Sequence, residues 1–475
     1  MLLTKGGAIV IFLILSVKLK TNCMSQTVSI RKGLDIRLVG EAAKQTRDVA
    51  PSSTICLSPL DFHGLNPKMV VKEGEAVKIG DPIFYDKVNE NIKFCSPVAG
   101  TVRSIVRGEK RKILQVLIDN NGQQDYKAAS PVNVENSSAE QLLETLLSAG
   151  LWPFVKQRPL DVVADPTKTP KAVFISTFDS APLAPDYDYV LAGRENDLQT
   201  AINAFAKLAG GKVHLGVNPN SKIFSGLKNA QINKYSGKHP AGNVGVQIHH
   251  VNPINKGEFV WTVNVQDLAI IGHYLNTGKF VAKRTIAVTG SEVSTPQYAN
   301  VTIGSTMSSI LSGQTKGAGQ ERWISGNVLT GDKKDADGYL GYYHNHVTVI
   351  PEGNQYKFFL TTGWLGLGFD KFSNSRLFPT FLMPSSKKFV LDTNTNGEER
   401  AFVVTGELDR VFPFDILPMQ LIKAAITNDI DGMENLGIYE VAPEDFALCE
   451  YVCTTKVNIQ EKIREGLDLI GRECM

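Results

Sequence analysis

The chain has 475 residues, enough for three or four domains at roughly 150 residues each. Its 43% apolar and 21% charged residues are ordinary for a folded protein and exclude wholesale disorder and a polytopic membrane protein. A formal charge of +2 leaves no electrostatic footprint for nucleic acid, and six scattered cysteines argue for a reducing compartment rather than a disulfide framework. From the N-terminus, Gly6 to Val17 is an apolar run of 12 residues flanked by Lys5, Lys18 and Lys20. A membrane-spanning helix takes about 20. The run has the length of a signal-peptide core, but no small-x-small cleavage site follows it, and Leu19 to Asn22 lack the residues a lipoprotein signal places before a cysteine such as Cys23. Met24 is therefore expected to be the true start, with residues 1–23 an upstream extension; a short membrane tether or a signal is the alternative.

Residues 25–30 read as a first strand, and 28–120 are β throughout: short apolar stretches separated by turns such as Lys72-Glu73-Gly74-Glu75 and Ile79-Gly80-Asp81-Pro82. The period then changes. Ser138 and Gln141 have capping-box spacing ahead of a helix whose apolar face is Leu142, Leu143, Leu146 and Leu147, with Gly150 beyond its end. Residues 173–175 and 190–192 read as buried strands. A helix over 197–209 is stopped by Gly210 and Gly211, and residues 213–217 form the next strand. This alternation predicts an α/β layer with a parallel sheet. Residues 284–335 predict strand, turn, strand and helix, with Ser305 as N-cap and Gly313 as stop. From Asp415 the chain turns helical. Asn458 and Glu461 form a capping pair, and Ile459, Ile463, Leu467 and Ile470 make one stripe.

Two stretches resemble known modules. Val71 to Pro82 followed by Ser96-Pro97-Val98-Ala99-Gly100 looks like the half-barrel of lipoyl and biotinyl carrier domains. In those carriers the modified lysine stands eight residues before the proline; Lys87 stands ten before Pro97, so a structural half-barrel is expected rather than a lipoylated one. Val288 to Val293 and Gln297 to Leu311 are similar to the soluble ligand-binding β-grasp (SLBB) module of respiratory dehydrogenases. With Ile30-Arg31-Lys32-Gly33-Leu34-Asp35, Lys238-His239-Pro240-Ala241-Gly242-Asn243-Val244-Gly245 and Ala447-Leu448-Cys449-Glu450-Tyr451-Val452-Cys453, the chain from about Ser25 onward resembles the NqrA family, the A subunits of sodium-translocating NADH:quinone oxidoreductases. It is more distantly similar to the C subunit of the Rnf complex.

The resemblance implies an α+β multidomain chain. Residues 24–124 would be a barrel-sandwich hybrid, 125–283 a Rossmann-like α/β domain, 284–335 the β-grasp module, 336–380 a β and loop segment, and 381–475 a mainly helical domain. It implies a peripheral protein on the cytoplasmic face of the bacterial inner membrane, with sister subunits B to F as partners. That complex oxidises NADH, reduces ubiquinone or menaquinone and moves Na+ outward, using FAD, FMN, riboflavin and Fe–S centres. This chain is expected to carry no redox cofactor, metal or catalytic residue of its own, and to support assembly or quinone binding. A free-standing carrier and an Rnf-type electron-transfer subunit are the alternatives.

The individual motifs agree with an absence of redox chemistry. Cys449 and Cys453 lie one helical turn apart, but a cubane needs four thiolates and no further cysteine stands upstream. The glycine runs at 313–319 and 363–369 lack the dinucleotide fingerprint, and Glu195 after Gly193 would repel a pyrophosphate. Ser312-Gly313-Gln314-Thr315 echoes a flavin-attachment site but lacks its second threonine. Asp332, Asp335 and Asp337 lack EF-hand spacing. His344 and His346 are expected on one face of a strand and His249 and His250 on different faces, none with zinc-ligand neighbours. His239-Pro240, with Gly242 and Gly245 after it, reads as a shaped loop at a seam. Phe358, Phe359, Trp364 and Phe369 suit core or cleft equally.

Overall fold

The computed structural model describes residues 25–317, 319–355, 366–374, 376 and 378–475. The extension 1–23, Met24, Phe358, Phe359, Trp364 and the first part of the glycine run at 363–369 lie outside the described residues.

Short antiparallel strands between tight turns build the first module. One sheet orders Thr54–Leu57, Ile113–Asn120, Gly100–Arg107 and Ala76–Val77; the other orders Pro67–Met69, Pro82–Asp86 and Lys93–Cys95. Alternate residues point inward, so Ile55, Val102, Val116 and Ile118 are buried together with the stacked rings of Phe84 and Phe94. This core runs without a break into that of the α/β layer.

The α/β layer is a seven-stranded sheet. Its parallel part has the spatial order Thr27–Ile30, Gln231–Gly237, Val213–Val217, Val173–Ser176 and Val260–Val263. Val155–Arg158 and Val162–Val163 extend it antiparallel. Val173 and Ile175 face one core, against the helices Ala139–Ser148, Glu195–Leu208 and Val265–Thr277, while Phe174 faces the other, against Val244–Val251. Helices thus cover both faces, as a mostly parallel sheet requires. The first helix begins where its capping box is: Ser138 accepts from Gln141 N, and Gln141 reaches back to Ser138 N. Residues 190–192, expected as a strand, instead close a helical turn, Tyr187–Val190, because Asp186 caps it by accepting from Asp188 N and Tyr189 N. Three apolar residues are too few to separate the two outcomes.

A six-stranded sheet forms the third module, in the order Asp332–Lys334, Glu321–Ser325, His346–Pro351, Lys283–Thr289, Gln297–Thr302 and Ala43–Asp48. The helix Met307–Leu311 covers it and is capped by Thr306, not Ser305; Thr306 Oγ1 accepts from Ser309 N. Helices Pro418–Ile426, Ile430–Asn435, Ala447–Val452 and Ile459–Glu473 make the fourth. Ile459, Ile463, Leu467 and Ile470 are all fully buried there. Asn458 is the N-cap residue of the last helix, but its side chain donates to Glu461 Oε2 rather than bonding the backbone.

Residues 25–48 do not stay with the half-barrel, where the expected 24–124 boundary puts them. They thread the other three modules: a strand in the α/β sheet, Ile36 and Leu38 in the helical core, then a strand in the third sheet. Local patterning identifies a strand but not its partner. Gly33 makes the threading possible, since a Cβ there would collide with His239 O.

One buried guanidinium ties the helical module to the α/β sheet. Arg158 Nη1 donates to Asp445 Oδ2 at 2.6 Å and Nη2 to Glu444 Oε1 at 2.5 Å, with Arg158 and Asp445 both within the interior. Gly245 leaves room for the pair; a Cβ there would meet both partners. Asp445→Asn removes the buried one of the two carboxylates that hold Arg158 and leaves Glu444, so it is expected to lower stability by about 3 kcal/mol, the low end for a broken buried pair. Asp468→Asn, at an exposed hydrogen bond to His63, is expected to stay within about 0.5 kcal/mol. Urea unfolding midpoints of the two variants check this.

Candidate functional site

The order of the parallel strands places a topological switch point between Val173–Ser176 and Val260–Val263: from the first strand the chain winds one way to Val213–Val217 and Gln231–Gly237, then returns to the other side. In open α/β sheets the crevice beyond the carboxyl ends of such strands is where ligands bind. A cavity of about 460 Å³ lies there. Ser176, Phe178 and Asp179 line it from one strand end, and Thr262, Val263 and Asn264 from the other. Asp61 reaches it from the half-barrel, His344 and His346 from the third module, and Glu444 and Arg464 from the helical module. All four modules therefore meet at one site.

The walls are densely hydrogen-bonded. Ser176 Oγ donates to Gly242 O and accepts from Gln247 Nε2. Asn345 Nδ2 donates to the hydroxyl of Tyr187, and Tyr343 donates to Pro153 O. Lys156 Nζ donates to both oxygens of Asp161, at 3.0 and 2.9 Å, and Arg464 stands 3.8 Å from the same carboxylate. Burial alone would raise Asp161, but Lys156, Arg158 and Arg464 hold it down to about 2. Asp267 pairs with Arg284, and both are buried. Asp61 Oδ2 accepts from Tyr342 N, and burial pushes its carboxyl up to about 6. Asp179 Oδ1 accepts from Ala181 N, and burial raises it too. Desolvation pushes His239, His344 and His346 down to about 4, so they stand neutral at pH 7. His346 Nε2 has no hydrogen-bond partner among the described residues.

The site does not suit a dinucleotide or flavin phosphate. After Val173–Ser176 the chain reads Thr177-Phe178-Asp179-Ser180-Ala181, with no glycine-rich turn and a carboxylate in place of exposed backbone N–H groups. At the start of Glu195–Leu208, Glu195 Oε1 accepts from Gly193 N, so an acid already occupies that helix end. A cluster fares no better. Cys449 is buried on Ala447–Val452, and Cys453 falls just past its end, bonded to Thr455. Burial raises the Cys449 thiol well above its ordinary range. Among the described residues no group of three His, Cys, Asp or Glu stands ready to hold a metal ion.

The other flagged residues disperse. Lys87 is exposed after Pro82–Asp86, with its N–H donating to Asn66 O. Thr315 bridges Val293, and Gln314 O accepts from Ser294 N. Asp332 begins a short strand, and Asp335 O accepts from Gly338 N in the loop after it. His249 Nδ1 donates to Glu440 Oε1 while its Nε2 accepts from Asp415 N; His250 Nδ1 bonds Val246 O. Phe369 is exposed. The strand starts only at His346, so His344 sits in the turn before it rather than on a shared strand face, and its Nδ1 bonds Ser325 Oγ. Both histidines nevertheless line the cavity, as does His239. The His239 loop packs on the N-terminal segment: Leu34 N donates to His239 O and His239 N to Asp35 Oδ1. Two of the stretches that carry the family resemblance thus touch. Asp61, Asp179 and Asn264 were missed; the one available signal was their position at strand ends of an α/β unit, or none in the case of Asp61.

Three family models match the chain: the NqrA N-terminal barrel-sandwich hybrid domain over residues 28–121, the NqrA second alpha/beta domain over 137–280, and the NQRA C-terminal domain, an SLBB model, over 285–336. The curated relatives include the A subunits of two Na(+)-translocating NADH-quinone reductases. That of Haemophilus influenzae is 36% identical over 452 residues, and that of Saccharophagus degradans 33% identical over 450; each alignment covers 94% of this chain and 100% of the relative. The Rhodopirellula baltica protein of the same name is 35% identical, with 94% and 98% covered.

His346 offers a test of the site's electrostatics. Its folded value of about 4 lies below the ordinary 6.5. Between those values the unfolded chain binds more protons, so this histidine's contribution is lost as pH falls. Asp61, raised to about 6, works in the opposite sense: the folded carboxyl keeps a proton that the unfolded one releases, so its contribution is lost as pH rises through its folded value. His346→Gln is therefore expected to shrink the loss of unfolding free energy between pH 7 and about 5.5 by about 1 kcal/mol, measured by urea titration at both pH values.

Proposed function

Since this chain belongs to the NqrA family, the A subunits of the Na+-translocating NADH-quinone reductases, we propose that it is the cofactor-free component that braces that complex. Enzyme activity belongs to the assembled oxidoreductase, which couples NADH oxidation and quinone reduction to sodium transport. The chain sits peripherally on the cytoplasmic face of the inner membrane and docks on sister subunits B to F. No helix among the described residues is long and apolar enough to cross a membrane.

The observation that carries this reading is the switch-point crevice. It keeps the position where related sheets hold a cofactor, but its loop carries Asp179 where phosphate-binding glycines would be. The same chemistry bears on quinone. Quinone oxygens accept hydrogen bonds, and Asp61 and Asp179 in the cavity are acceptors as well. A quinone headgroup is better served on a surface shared with a sister subunit. An Rnf-type subunit or a stand-alone carrier is disfavoured by relatives matched over their whole length under the reductase name.

The purified chain is expected to show no visible absorbance from flavin or iron–sulfur; bound colour after mild purification would contradict the proposal. Loss of this chain is expected to abolish quinone reductase activity in membranes while NADH oxidation by artificial acceptors persists. Full quinone activity without it would count against any role at the quinone end.

A further inference from the structure

Large apolar side chains stand exposed among residues 366–390. Leu367 and Leu382 are 77% and 75% exposed, and Phe369 and Phe381 are exposed as well. The four belong to one lobe. Gly368 lies against the ring of Phe378, so close that a Cβ there would collide with it. Phe378 precedes the short helical turn Pro379–Leu382, and Thr380 Oγ1 donates to Lys371 O at 2.6 Å. Leu367 and Phe369 flank the glycine, while Phe381 and Leu382 end the turn, so two loops packed side by side carry all four. Clustered exposed apolar side chains mark an interaction surface.

The lobe is fastened to the N-terminal segment. Phe389 N donates to Arg37 O and Val39 N to Phe389 O, at 2.8 and 3.0 Å. Arg37 Nη1 donates to Pro384 O at 2.7 Å, and its guanidinium lies 5.4 and 5.8 Å from the ring centres of Phe389 and Phe372. Phe389 is buried and Phe372 packs on the helical core, so the exposed tips stand on an anchored base. The charge of the lobe is one-sided. Residues 366–390 hold Lys371, Arg376, Lys387 and Lys388 against a single acid, Asp370, in a chain whose whole formal charge is +2. Lys371 Nζ stands 5.1 Å from the centre of the Phe378 ring and Lys387 Nζ 5.9 Å from that of Phe389, while Lys388 pairs with Glu41.

We propose that this lobe rests directly on a lipid bilayer with anionic headgroups. Leu367, Phe369, Phe381 and Leu382 enter the headgroup boundary, and Lys371, Arg376 and Lys387 meet the lipid charges. Leucyl and aromatic tips beside basic residues are what such a surface selects. A protein partner selects otherwise, since protein interfaces are depleted in lysine and centre on a closely packed patch. This assignment rests on the membrane placement proposed above but not on the sister subunits, and leaving them out of the test keeps the two readings apart.

The probes are phosphatidylcholine vesicles with and without roughly 30% phosphatidylglycerol at about 0.1 M salt. They are mixed with the purified chain, both full-length and begun at Met24, which sets aside the apolar run from Gly6 to Val17. Co-sedimentation is expected with the anionic vesicles, and about tenfold or more weaker with pure phosphatidylcholine. Leu367→Ser with Leu382→Ser, and separately Arg376→Gln with Lys387→Gln, are each expected to weaken it about tenfold or more. Val88→Ser, at an exposed apolar residue of the half-barrel, is expected to leave it unchanged. Acetylation of Lys387, read by mass spectrometry, is expected to be lost on the anionic vesicles, while that of the exposed Lys110 persists. Circular dichroism establishes that each variant is folded; if one is not, the acetylation pattern of the full-length parent decides. Three results would overturn the proposal: no preference for anionic vesicles, binding of the Met24 chain undiminished by either folded double variant, or Lys387 as reactive on vesicles as in solution. Binding through the lobe only when the vesicles carry the sister subunits would assign it to a protein interface and overturn the proposal equally.

Discussion

A guanidinium with no access to water sets the constraint around which the modules are arranged. Arg158 lies near the edge of the α/β sheet, and its charge must be matched where it stands. Asp445 and Glu444 supply the match from a short turn of the helical module, and Asp445 also accepts from Ala442 N. Sliding the helical module over the sheet would strand a charge in a dry interior, so the relative position of the two is defined by more than apolar contact. The neighbouring Lys156, Asp161 and Arg464 repeat the arrangement nearer solvent, again with partners from both modules.

The same clamp creates the cavity. Holding Glu444 and Arg464 over the carboxyl ends of the central strands roofs a crevice that would otherwise lie open. The half-barrel contributes Asp61 because its core is continuous with that of the α/β layer, and the third module contributes His346 from the start of its central strand and His344 from the turn ahead of it. A fold that elsewhere presents backbone amides to phosphate here presents carboxylates. The proposed lack of a redox group in this chain rests on that difference in the crevice.

The N-terminal segment plays a comparable structural part. Residues 25–48 supply an edge strand to each of two sheets and apolar side chains to the helical core between them. Its bonds to the His239 loop anchor that loop against the cavity, so the shape of the binding wall depends on residues remote in sequence.

Much of the fold was legible in the linear order of residues. The capping box at Ser138 and Gln141, the apolar stripe ending at Ile470, the glycines after the helix at 195–208 and the half-barrel turns are all local signals, carried by residues a few positions apart, and the structure realises each of them. Short apolar segments such as 190–192 and the exact cap at Thr306 were not decided locally, because two conformations of similar local energy compete and tertiary contacts choose between them. Of the site, the string itself yielded only an expectation, that the thiols, glycines and ligand spacings of redox chemistry are missing, and not its place. What the site contains required the assembled molecule. Its walls come from positions as far apart as Asp61 and Arg464, and which strand pairs with which, and which carboxylate meets which cation, is settled by burial and Coulomb energy among groups that the sequence separates by hundreds of residues.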